Sequence, residues 1–126
     1  MKRVLIVKEG QWGDMKPEEY QPLINYFQQT LEKAELPSLY QEGRKEKTVE
    51  VRIIETAQDA EKILKTEGAD AVLFISRGME FTAERLATLY PRTRVIVFTG
   101  LIPERKVIWI NKIWLNPELI ENVVLR

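Results

Sequence analysis

Apolar residues fall along this chain in two rhythms. Uninterrupted runs such as Val4-Leu5-Ile6-Val7, Val72-Leu73-Phe74-Ile75 and Val95-Ile96-Val97-Phe98 carry no polar alternation. That is the pattern of strands buried on both faces, as in parallel sheets covered by helices. They predict strands at residues 3–8, 71–76 and 94–98, with two more at 49–55 and 106–110. Between them the spacing changes to that of a helix. Tyr20, Leu23, Ile24, Phe27, Leu31 and Ala34 share one face of a helix over 17–35. Pro22 is awkward inside it, so the regular helix is expected to begin there, with the proline in its first turn. Thr56 caps a second helix, with Asp59 placed to reach back, and Gly68 ends it. A third runs over 82–90, with Phe81 and Leu86 spaced as a hydrophobic staple, and Pro91 stops it. The last starts at Asn116 as N-cap with Pro117 first in the helix, and Leu115 and Ile120 spaced as a staple.

The order of elements is strand-helix-strand-helix-strand-helix-strand-strand-helix. Such alternation implies the α/β class: a doubly wound, mostly parallel five-stranded sheet in the order 2-1-3-4-5, spanning 1–126 as one domain. The link from strand four to strand five, 99–105, is shorter than a parallel crossover normally needs. Strand five is therefore reached by a short irregular loop or pairs antiparallel. Residues 36–48, with Pro37, Gly43 and the basic run Arg44-Lys45-Glu46-Lys47, read as an exposed, mobile connector.

Composition narrows the chemistry. The chain has no cysteine, which excludes disulfides, thiol nucleophiles and zinc-thiolate sites. It has no histidine, which removes the usual general base, a common metal ligand and phosphohistidine chemistry. Lys plus Arg total 19, as do Asp plus Glu, so no whole-chain field draws it to nucleic acid or acidic lipid. No apolar run approaches a membrane span, and the first is too short for a signal peptide; a cytoplasmic protein is expected. Chemistry left to such a chain gathers at the carboxyl ends of the strands, where open α/β sheets bind ligands. There stand Lys8 and Glu9, Thr56, Ser76 and Arg77, Thr99 and Gly100, and Lys112.

This order of groups resembles the receiver domain of bacterial two-component response regulators. That family carries an acidic pair after strand one, a phosphoryl-accepting aspartate after strand three, a hydroxyl residue after strand four and a lysine after strand five. Thr99, closing Val95-Ile96-Val97-Phe98-Thr99-Gly100, is similar to the family's hydroxyl residue. Lys112, followed by Trp114 and Asn116-Pro117-Glu118-Leu119, resembles its lysine-aromatic-helix ending. Gln58-Asp59-Ala60-Glu61 leading to Asp70-Ala71-Val72-Leu73 is also similar. The resemblance implies a flavodoxin-like three-layer sandwich and a role in signal transduction. Three features depart from it. Ser76 stands at the acceptor position and Lys8 at the first metal-binding acid, leaving Glu9 alone; the segment of the family's fourth helix is missing. A lysine and a serine in place of two carboxylates do not suit a magnesium ion, and a serine forms no acyl phosphate.

The expectation is thus a non-phosphorylated, receiver-like regulatory module that works by protein interaction, with no catalytic residues, metal or cofactor. Its partner surface, for a homodimer or another protein, is expected at Leu101, Ile102, Trp109 and Trp114. Thr56 and Thr99 then serve as satisfied polar groups at strand ends, and Lys8 or Lys112 pairs with Glu9. The alternative is a binding domain or enzyme that takes a small phosphate-like anion or a nucleotide. Lys8, Arg77 and Lys112 would supply charge, Ser76 and Thr99 hydroxyls, and Gly10, Gly78 and Gly100 close backbone approach.

Overall fold

The structure, a computed structural model, describes residues 2–37, 45–47, 49–100, 103, 106–112 and 115–126. Its frame is a five-stranded sheet built from β1 (Lys2–Val7), β4 (Val49–Ile54), β5 (Ala71–Phe74), β6 (Arg94–Thr99) and β7 (Ile108–Asn111). The spatial order is β4-β1-β5-β6-β7, which is 2-1-3-4-5 when only these five are counted, and every neighbouring pair is parallel. The uninterrupted apolar runs give this result directly. In β5 all four residues are buried, with alternate side chains entering opposite layers.

One layer is formed by α1 (Pro17–Glu32) and α4 (Pro117–Leu125), the other by α2 (Ala57–Thr66) and α3 (Glu80–Leu89). Val4, Ile6, Leu73, Ile96 and Phe98 meet Phe27 and Leu31 of α1 and Ile120 of α4. Leu5, Val7, Phe74, Val95 and Val97 meet Ala60 and Leu64 of α2 and Ala83 and Leu86 of α3. The capping residues act as expected at two starts. Thr56 accepts the Asp59 N–H at 3.1 Å and Asn116 accepts the Leu119 N–H at 2.9 Å. Asp59 makes no return bond to Thr56 among the described residues. The last carbonyls of α4 are reached by cations from the sheet's amino end, Lys2 at Leu125 and Arg94 at Val123. Between α2 and α3, Arg85 and then the Tyr90 hydroxyl hold the Glu61 carboxyl below its ordinary pKa; burial and that same bond raise Tyr90.

Three expectations need correction. The first helix begins at Pro17, not Pro22, and Pro22 lies within it. The proline deletes only the bond toward the Glu18 carbonyl, and burial of Ile24, Phe27 and Leu31 outweighs that loss. The third helix starts at Glu80, so Phe81 falls inside it and is 62% exposed; Met79 takes the core position instead. No staple forms between Phe81 and Leu86. The connector is not wholly irregular: β2 (Glu35–Pro37) and β3 (Lys45–Lys47) pair antiparallel as a small separate ribbon. Of the two routes left open for the last strand, the short link holds: β7 is parallel to β6 although only residues 100–107 join them. Ile96 lies opposite Ile108, so the chain need return only roughly 10 Å at about 3.3 Å per strand residue. Among the described residues no helix covers this crossover.

Candidate functional site

Each strand of the parallel sheet delivers its carboxyl end to one edge, and the strand order reverses between β1 and β5. In this fold that crevice is the usual ligand position, but here the chain fills it with itself. After β1 the backbone passes through Gly10 at φ +138°, a conformation open to glycine. A Cβ placed there would stand 1.9 Å from Ser76 Oγ. Gln11 and Arg77 then exchange backbone hydrogen bonds, Gln11 N to Arg77 O at 2.9 Å and Arg77 N to Gln11 O at 3.0 Å. Ser76 is 5% exposed, and its hydroxyl donates to the Glu9 carbonyl at 2.6 Å. These bonds stitch the loop after β1 to the loop after β5. Ser76 is therefore a fastener between two loops, a satisfied polar group at the end of the central strand.

The remaining candidates separate. Glu9 turns its carboxylate to the start of α2, where it accepts the Ala57 N–H at 2.7 Å. It pairs with neither lysine. Lys8 Nζ instead lies 3.5 Å from Glu55, and Lys112 Nζ stands 5.7 Å from the centroid of the Phe98 ring. Thr99 closes β6 and is half-buried. Gly10 and Gly78 do admit close approach, but of the protein's own Ser76 and Gln11. Leu101, Ile102 and Trp114 lie outside the described residues; Trp109 is half-buried on β7. No cluster of three or more acidic residues suited to a metal occurs among the described residues, and none of their helices is long and apolar enough to cross a membrane.

Beside the filled crevice, on the α1 side, lies a cleft of about 500 Å³. It brings together three of the sequence candidates, Ser76, Arg77 and Lys112, and leaves out Lys8, Glu9 and Thr99. Its apolar part comes from Trp12, Leu23, Ile75 and Phe98, and Asp14 is the one carboxylate among the described residues of its lining. Trp12 is held twice: its ring nitrogen donates to the Lys8 carbonyl at 3.1 Å, and its ring stacks on Tyr20 at 4.2 Å. Phe98 sits edge-on to Phe27 of α1 at 5.0 Å. From sequence the aromatic members read as core or loop residues. Only the turn after β1, closed by Met15 N to Trp12 O at 3.2 Å with Gly13 at φ +64°, carries Trp12 to the strand ends.

Fold and edge together define a doubly wound α/β module of the flavodoxin-like kind, with its crevice closed and an adjoining cleft open. Comparison with protein-family models, with curated proteins and with solved structures gives no match.

Proposed function

We propose that the chain is a receiver-like regulatory module that carries out no phosphotransfer and acts through association with a second copy of itself at β7. The observation that carries the first half is the state of the two groups at the head of the sheet. The Ser76 hydroxyl is engaged by the Glu9 carbonyl, and the Glu9 carboxylate by the start of α2. The Ser76 hydroxyl has its proton committed to a carbonyl, and a lone carboxylate turned to α2 is not the paired acidic set that holds the divalent cation of such a transfer.

The second half is supported by the character of the sheet's two edges. Exposed edge strands are normally guarded by charge, proline or bulges. β4 carries Glu50 and Arg52 within it. β7, Ile108-Trp109-Ile110-Asn111, has no charge and no proline. Ile108 is 46% exposed and Leu89, at the end of α3, 54%. An edge strand paired antiparallel with its own copy makes a closed two-fold contact, so a second copy satisfies β7 without risk of open-ended growth.

The phosphotransfer half is tested by incubating the protein with acetyl phosphate and magnesium and measuring acid-labile phosphate. None is expected on the wild type, whereas stoichiometric, magnesium-dependent incorporation would falsify this half. Restoring a carboxylate by Ser76→Asp is not expected to restore transfer, because Glu9 remains bound to α2 and Lys8 to Glu55.

A further inference from the structure

We infer that the cleft beside the closed crevice is a binding site for a small ligand that joins a flat ring to a phosphate, of mononucleotide size. At about 500 Å³ it falls within the range of small-molecule sites, roughly 300–1,000 Å³. It lies just outside strand carboxyl ends, next to the reversal of strand order. The two halves of the ligand follow from two halves of the lining.

The ring half is aromatic and already fixed. Trp12 is immobilised by its bond to the Lys8 carbonyl and its stack on Tyr20, and Phe98 is wedged against Phe27. A flat ring laid against Trp12, with buried Phe98 as a rigid floor, gains contact without ordering either group first, which keeps the entropic cost of binding low. The anionic half is the rim. Arg77 and Lys112 are exposed and take part in no ion pair among the described residues. Among the described residues the lining has two cations, with Asp14 as the one opposing carboxylate. Arg77 offers the forked donor geometry that suits a phosphate, and Lys112 a mobile point charge. This inference rests on the cleft alone, so neither the appearance of phosphotransfer nor the absence of pairing at β7 changes it.

The test is titration of the intact protein with adenosine, guanosine and uridine 5′-monophosphates, and separately with inorganic phosphate. Binding is followed by calorimetry and by the indole NMR signal of Trp12. At least one nucleotide is expected to bind saturably with a dissociation constant below about 1 mM, shifting that signal. Arg77→Gln and Lys112→Gln, both exposed and checked for an unchanged circular dichroism spectrum, should each weaken it about tenfold. Inorganic phosphate alone should bind at least about tenfold more weakly than the nucleotide. The inference is overturned if none of the nucleotides saturates, if both folded variants bind like wild type, or if phosphate binds as tightly as the nucleotides.

Discussion

Phe74→Ala should destabilise the protein by about 3–5 kcal/mol, measured by denaturant unfolding. The residue is fully buried in β5, the central strand, with Val7 of β1 on one side and Val97 of β6 on the other. Its ring fills the layer beneath α2 and α3 among Leu5, Ala60, Ala83 and Leu86. Truncation removes the transfer energy of the ring and leaves a cavity whose walls are strands bonded on both sides, so little collapse can follow. A loss below about 1 kcal/mol would mean that β5 is not central, and the sheet order would fall with it.

Gly10→Ala should cost about as much for a different reason. At φ +138° an alanine is strained, and its Cβ would meet Ser76 Oγ at 1.9 Å, Ser76 Cβ at 2.7 Å and the Arg77 carbonyl at 2.9 Å. Ser76 cannot withdraw without breaking its bond to Glu9, and the Arg77 carbonyl is held by Gln11. Backbone strain and overpacking each cost about 1–3 kcal/mol, so a combined loss of roughly 3–5 kcal/mol is expected. The mutational cycle separates the two. In a Ser76→Gly background the contacts with Oγ and Cβ vanish, so the cost of Gly10→Ala should fall by about 1–2 kcal/mol while the strain and the carbonyl contact remain. A fully folded Gly10→Ala of wild-type stability would show that the two loops are not fastened as described.

The sheet was legible because its three inner strands are buried on both faces. Val4–Val7, Val72–Ile75 and Val95–Phe98 announce themselves as continuous apolar runs, and alternation with helices then leaves few topologies. Thr56 and Asn116 were legible because an N-cap is a bond between residues three apart. What escaped was decided by groups distant in sequence. Pro22 is carried inside α1 by burial of its neighbours, which propensity does not weigh. Phe81 had the spacing of a staple, yet Met79 reached the core first and shifted the helix start. The direction of β7 depended on register, since a short link suffices when strands are staggered.

The site shows the same division. The sequence placed Ser76, Arg77 and Lys112 at the strand ends, and these do line one cleft. The commitment of Glu9 to Ala57, 48 residues away, and of Ser76 to the Glu9 carbonyl, 67 residues away, has no local signature. These two bonds close the edge at which the strand ends gather. Trp12, which lies on the first loop, had no reason in sequence to stand beside Phe98.

The claim that the chain works as a self-associating module is tested most directly by sedimentation at micromolar concentration. Wild type should run as a dimer. Ile108→Lys and Trp109→Lys, each placing a charge in the unguarded edge strand, should run as folded monomers, raising the dissociation constant about a hundredfold, roughly 2.8 kcal/mol. A wild-type monomer throughout the range, or folded variants that dimerise like wild type, would contradict the account.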